Sequence, residues 1–469
     1  MEKRVDVAII GAGSAGLTAT GRVRRKTDSF VLINGGELGT TCARVGCMPS
    51  KAAIQVAEDF HRRTLFDREG IEGESELSVN FEDALEHVRD LRDIFVDQVL
   101  MTSTDNMGEE LIEGHARFLE PDLLQIDDGQ RIRAKRIIIA TGSHPIVPEG
   151  WAAFRDRILT TDELFEQETL PESMAVVGLG IVGLELGQAL HRMGIKVTGI
   201  DQLNTIGGLS DPVVNQTAIE IIGKEMPLWL GAPAVIVQEG DRLRVSAGDR
   251  SVLVDGVLAA MGRAPNLAGL GLENLGAPLD ERGVPVHDPH TMQVGNLPVF
   301  IAGDVTGDRA ILHEANDEGR IAGHNAVRET PEAFERKTPL AINFCDPNIC
   351  MVGASWDQLE EERIAVGEMK MAGLGRAIIM GKNKGLIRVY ADKEDGRVLG
   401  AAMVATKSEH LAHLLAWGIQ QGMTVFDMLR MPFYHPALEE GLQSALYGLR
   451  RQITHQPEDP IELRRRSSS

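Results

Sequence analysis

A short apolar strand, a Gly-x-Gly-x-x-Gly turn and a helical stretch follow one another twice in this chain of 469 residues. That repeat predicts an α/β protein with two Rossmann-like dinucleotide-binding domains. At roughly 150 residues per domain the length leaves room for a third, C-terminal α/β domain. Composition agrees: 43% apolar and 25% charged residues suit a large packed core, and four cysteines cannot make a disulfide scaffold.

The first unit begins with the strand Val5 to Ile10, which runs into Gly11, Ala12, Gly13, Ser14, Ala15 and Gly16. Its second strand is Phe30 to Ile33, ending at Asn34. The second unit runs from Met174 to Val177 into Gly178, Leu179, Gly180, Ile181, Val182 and Gly183. Its second strand, Lys196 to Ile200, ends at Asp201. In such a unit the first glycine makes the tight turn and the second lets backbone approach a pyrophosphate. The third lets helix and strand pack closely, with the positive end of the helix facing the phosphates. Asn34 and Asp201 each stand 23 residues past the first glycine, where an acid would hold a ribose hydroxyl. Asp201 would repel a 2′-phosphate, and no Lys, Arg or His occurs from Gln202 to Gly223, so the second site should take NAD rather than NADP. At the first site Asn34 offers an amide oxygen without charge assistance.

The net charge of −21 repels phosphate backbones and anionic lipid, which excludes nucleic acid and membrane partners. No apolar run approaches the ~20 residues of a spanning helix, and the chain opens directly on a strand, with no leader and no fused carrier domain expected. These features predict a soluble, cytoplasmic protein. His313, His410 and His413 lack metal-ligand spacing and read as structural, and no metal is expected.

The cysteines fall as two pairs, Cys42/Cys47 and Cys345/Cys350, each with four residues between. Residues five apart in a regular helix lie about 8.6 Å apart at Cα, too far for a disulfide. Bridging Cys42 and Cys47 therefore needs irregular backbone, which Gly46 permits. With Pro49 in a first helical turn, a helix starting near Cys47 would put that thiol at a positive dipole end, near Arg44 and Lys51. Unpaired buried cysteines are the other reading, but the position directly after a nucleotide fold favours a redox pair. Cys345 and Cys350 flank a turn between apolar strands and read as buried small hydrophobes. His435, followed by Pro436 as a first helical residue and by the stripe Leu438, Leu442, Leu446 and Leu449, could be a base held by Glu440 or merely part of a capped helix.

The segment Cys42 to Lys51 resembles the active-site signature of the pyridine nucleotide–disulfide oxidoreductases, and its Met-Pro-Ser-Lys ending is most similar to that of the dihydrolipoamide dehydrogenases. Ile137 to Gly142 resembles the strand and turn closing the family's flavin domain, and Gly262 to Asn266 the exit from its nicotinamide domain. Thr291 to Asp304 resembles the second flavin motif, and His435 to Glu440 the His-Pro…Glu motif of the interface domain. The resemblance implies a flavin domain in two segments, 1–147 and 271–337, an inserted NAD domain, 148–270, and a dimerisation domain, 338–460, before a disordered tail, 461–469. It implies FAD held by Gly11, Gly13, Ser14, Ala15, Gly16, Asn34, Thr41, Lys51, Ala140, Thr141, Gly142, Gly303 and Asp304. NAD would be held by Gly178, Gly180, Gly183, Asp201 and Gly262. Cys42 and Cys47 become the redox disulfide, His435 the base, Glu440 its orienting partner, and Lys51 with Glu185 a buried ion pair beside the flavin.

The implied activity is oxidation of dihydrolipoamide by NAD⁺ in a homodimer whose sites each take a histidine from the other subunit. The partners would be lipoyl-carrying proteins of 2-oxoacid dehydrogenase or glycine-cleavage complexes. Alternatives are an NADH-dependent reductase of another small disulfide, an NADH diaphorase with incidental cysteines, and a flavin-bound structural subunit. A C-terminal second cysteine pair, as in mercuric reductases, is missing. The chain departs from the family pattern at Asn34, where Glu is usual, and at Thr40, where glycine is usual.

Overall fold

The structure, a computed structural model, describes residues 2–127, 129–457 and 462–463. The tail expected from residue 461 lies outside the described residues, except Glu462 and Leu463; Glu462 is ion-paired with Arg450.

The first sheet grows outward from β1 (Glu2–Ile10), whose residues Val7 to Ile10 are no more than 4% exposed. Burial on both faces explains the unbroken apolar run, because helices cover each side of a parallel sheet. After the first glycine turn the chain enters α1 (Ser14–Val23) and returns as β2 (Phe30–Asn34), parallel to β1. The strand Arg131–Ile139 lies parallel on the other edge of β1, and Val299–Ile301 returns much later in the chain to pair with it.

The second sheet repeats this arrangement, starting from β3 (Ser173–Val177). Before it in sequence comes α2 (Cys47–His61), which carries the second cysteine of the first pair at its start. The crossover helix α3 (Ile181–Met193) leads to β4 (Lys196–Asp201), parallel to β3, and every strand of this sheet is parallel. Helices α2 and α3 share one hydrophobic core, where Ala53, Ile54 and Ala57 meet Leu184 and Leu186. That contact sets the redox segment against the second nucleotide unit.

The last domain is an antiparallel sheet of the strands Leu340–Asn343, Asn348–Gly353, Val398–Ala405, Leu386–Asp392 and Ile364–Lys370. It is covered by α4 (Ser408–Gln420) and α5 (Glu439–Arg450), whose Leu442, Leu446 and Leu449 are buried as the stripe requires. The helix starts at Glu439, so Pro436 is not its first residue; Pro436 follows a cis peptide bond in the preceding loop. A buried cluster clamps this domain to the second unit: Arg388 Nη1 donates to both Asp211 oxygens at 2.7 Å, and Tyr390 donates to Oδ2 at 2.5 Å. Among the described residues no helix is long and apolar enough to cross a membrane.

Candidate active site

The two glycine turns are built alike. A Cβ added to Gly16 would fall 1.9 Å from the carbonyl oxygen of Gly11, and one added to Gly183 would fall 1.8 Å from that of Gly178. The third glycine is thus demanded by the turn itself rather than by helix–strand packing. A Cβ on Gly13 or Gly180, by contrast, would meet no protein atom within 4 Å. Nothing in the chain requires glycine there, so the open space is room for a ligand to approach the backbone, as a pyrophosphate does. Both turns therefore fit a dinucleotide.

The residues ending the second strands tie the turns down. Asp201 Oδ2 accepts from Leu179 N–H at 2.6 Å and its Oδ1 from Leu203 N–H at 2.8 Å. Asn34 does the same for the first turn: Oδ1 accepts from Ala12 N–H at 3.1 Å, and Nδ2 donates to the Gly36 carbonyl at 2.6 Å. The amide oxygen expected to face a ribose is already engaged with the turn.

A cavity of about 440 Å³ joins the first turn to the start of α3. Gly13, Ser14, Ala15, Thr41, Ala140, Gly142, Gly303 and Asp304 line it from the first unit, together with Cys42, Cys47, Lys51 and Glu185. Thr141 instead donates from Oγ1 to the Asn266 carbonyl at 2.7 Å. Gly303 N–H donates to buried Glu318 at 2.7 Å, and Asp304 Oδ2 accepts from Ser143 Oγ at 2.9 Å. Ser143 in turn accepts from Arg263 Nε at 2.8 Å. Gly262, at φ +101°, carries the backbone out of the second sheet and, like Gly178, Gly180, Gly183 and Asp201, is not in the cavity wall.

The cysteine pair spans the break between a short helix, Thr41–Arg44, and α2. Thr40 caps the short helix with φ +65°, a conformation that disfavours any side chain and accounts for the glycine usual there. Both cysteines are thiols. A hydrogen bond from Cys42 lowers the Cys47 thiol to about 7; burial opposes this, Lys51 and the helix backbone assist it, and Glu185 opposes it. Cys42 is correspondingly pushed far up by the same hydrogen bond and by burial. Arg44, also expected near Cys47, has its guanidinium ion-paired with Glu37.

Lys51 Nζ meets Glu185 Oε2 at 2.7 Å, with Glu185 only 3% exposed. The other Glu185 oxygen accepts from Phe344 N–H at 2.7 Å, and Lys51 Nζ lies 4.8 Å from the centre of the Phe344 ring. The pair joins two helices whose residues are far apart in sequence.

His435 Nδ1 lies 2.8 Å from Glu440 Oε1, and Glu440 Oε2 accepts from Ala437 N–H at 3.0 Å. Those bonds hold the Glu440 carboxyl below its usual range. The imidazole is 81% exposed and does not line the cavity of its own chain.

Cys345 and Cys350 are buried, with burial pushing the first well up and the second to about 12. They are inert core residues, as expected. Two histidines read as structural are placed otherwise: His313 and His413 both line the cavity. Sequence reasoning also missed Ser143, Arg263 and Phe344. Arg263 adjoins the glycine that was singled out, a signal that could have found it.

The family model described as "Pyridine nucleotide-disulphide oxidoreductase" matches residues 5–329, and its dimerisation-domain model matches residues 340–446. A dihydrolipoyl dehydrogenase of Thermus scotoductus is 30% identical, with 97% of this chain and 99% of the relative covered. One of Haloferax volcanii is 31% identical, covering 96% and 97%. Among solved structures, the Cu(II) complex of the HOCl-induced flavoprotein disulfide reductase RclA from Escherichia coli superposes with a TM-score of 0.82. It is 23% identical and covers 95% of this chain and 99% of its own.

Proposed function

Because the chain belongs to the pyridine nucleotide–disulphide oxidoreductase family, with FAD and NAD as cofactors, we propose that it is a dihydrolipoyl dehydrogenase. The observation that carries this reading is the Cys42–Cys47 pair, poised as thiol and thiolate in a cavity that reaches both the first glycine turn and the start of α3.

In the catalytic cycle the pair is first a disulfide. His435 of the partner subunit, with Nδ1 held by Glu440, takes a proton at Nε2 from the substrate dithiol, since only thiolate attacks a disulfide. The substrate thiolate bonds to Cys42 Sγ as the Cys42–Cys47 bond breaks, and Cys47 leaves as a thiolate. The second substrate sulfur then closes the lipoyl disulfide and displaces Cys42, which recovers a proton and donates its hydrogen bond to Cys47. Lys51 offsets the negative charge of the Cys47 thiolate. Bound FAD supplies the two-electron relay between the dithiol and the nicotinamide. Gly11, Gly13, Ser14, Ala15, Gly16, Thr41, Ala140, Gly142, Gly303 and Asp304 would hold the flavin nucleotide, and Gly178, Gly180, Gly183 and Asp201 the NAD.

We take the segment boundaries near residues 147, 270 and 338, a homodimer as the working unit, and lipoyl-carrying proteins in the cytoplasm as its substrates. Cys47→Ser and Cys42→Ser should each abolish dithiol turnover while the purified variants keep FAD. A Cys42→Ser variant with full dithiol turnover would refute the assignment and leave a diaphorase.

A further inference from the structure

The first nucleotide site lacks the acid that the second possesses, and the structure puts an imidazole in the corresponding place. The strand Leu111–Glu113 pairs with β2 so that Glu113 stands opposite Asn34, and Gly114 N–H donates to the Asn34 carbonyl at 3.0 Å. The next residue, His115, folds its ring over the backbone just beyond β2. A Cβ on Gly35 would lie 2.6 Å from the ring carbons and 2.7 Å from Nε2. Gly35 is therefore glycine because the imidazole occupies that space; its own backbone conformation does not require it.

The ring is oriented. Asp127 Oδ2 accepts from His115 backbone N–H at 2.7 Å and lies 2.9 Å from Nδ1. A carboxylate only accepts, so Nδ1 carries the proton, and the tautomer this selects leaves Nε2 as the ring's acceptor. This acceptor stands over the end of the second strand, where the adenosine ribose lies in a strand–turn–helix nucleotide unit. At the second site the same place is served by the Asp201 carboxylate, which accepts from two backbone N–H groups and still carries a full negative charge and further lone pairs. At the first, the neutral Asn34 amide accepts from Ala12 and donates to Gly36 without that charge.

We propose that His115, oriented by Asp127, is a ribose-binding residue of the first nucleotide site, accepting a hydroxyl of the FAD adenosine in place of the missing acid. The inference rests on assignment of the first glycine turn to FAD. Both side chains are largely exposed, so they contribute little to the fold by themselves.

The test uses flavin-stripped protein titrated with FAD, and with an FAD analogue whose adenosine ribose lacks both hydroxyls. Loss of one hydrogen bond should weaken FAD binding by His115→Ala about tenfold, and Asp127→Asn should fall between His115→Ala and the parent. The parent should prefer FAD over the analogue, and His115→Ala should lose about tenfold of that preference. The melting temperature of the flavin-free protein should be the same for parent and variant. An unchanged FAD affinity, or a preference equal to that of the parent, would overturn the proposal, as would a flavin-free variant that melts early. A parent that binds no FAD would overturn the assignment beneath it instead.

Discussion

Replacing Lys51 by Met removes the cation that acts on Cys47, and the size of the effect can be worked from the geometry. Four residues apart on α2, the two side chains start about 6 Å apart at Cβ. At an effective dielectric of ~20, unit charges at that distance interact by about 3 kcal/mol. Lys51 is 34% exposed, and screening by solvent reduces this to about 1.4 kcal/mol, one pKa unit. The Cys47 thiol, now at about 7, should therefore rise by about one unit in Lys51→Met. At pH ~7 the thiolate fraction would fall from about one half to about one tenth. Glu185→Gln should move the thiol the other way, because Glu185 opposes ionisation of Cys47. The assay is an ultraviolet thiolate titration of the reduced, flavin-free protein. Cys42, Cys345 and Cys350 are all held protonated at neutral pH, so the first transition reports Cys47 alone. Lys51→Met should also lose about 3 kcal/mol of stability, because it strands Glu185 at 3% exposure without its cation. Identical titrations for the parent and Lys51→Met, or both variants shifting the same way, would refute the electrostatic argument.

The glycines of the second turn should separate fold from ligand. Gly180→Ala adds a methyl into open space, so melting should hardly change while NAD⁺ binding weakens at least tenfold; Gly183→Ala drives a methyl into the Gly178 carbonyl and should unfold several degrees earlier. His435→Gln should cut dithiol turnover by about 10²–10⁴-fold with flavin content unchanged, and Glu440→Gln, which keeps a weaker hydrogen bond, by about tenfold. Thr40→Gly relieves a φ of +65° but loses a weak 3.4 Å cap from Ala43 N–H and some unfolded-state restraint; a net gain of about 1 kcal/mol should appear in denaturant unfolding.

What could be seen in advance divides along a physical line. The glycine turns and the Cys42–Cys47 segment are local, and their chemistry is carried by residue types at short spacing. Lys51 and Glu185 are ordinary helix residues in sequence; only packing of α2 on α3 brings them to 2.7 Å, and the family resemblance alone pointed to them. The partner of Arg44 depended on loop geometry, which set Glu37 against its guanidinium. Pro436 was read as a helix start because its ring suits that position, yet the chain uses it in a cis turn ahead of Glu439. His313 and His413 carry no spacing signal, and they reach the cavity because separate helices converge there. The role of Asn34 in fastening the first turn needed coordinates, since an amide at that position could equally have faced a ligand.

The most direct test of the central claim is the rate at which purified protein reduces NAD⁺ with free dihydrolipoamide, run beside NADP⁺. Rapid reduction of NAD⁺ with little of NADP⁺ is the expected result, given a nucleotide site closed by Asp201 and a redox pair open to the cavity. Negligible turnover by protein that holds FAD, and whose flavin NADH reduces, would contradict dihydrolipoamide as the substrate and point to another small disulfide.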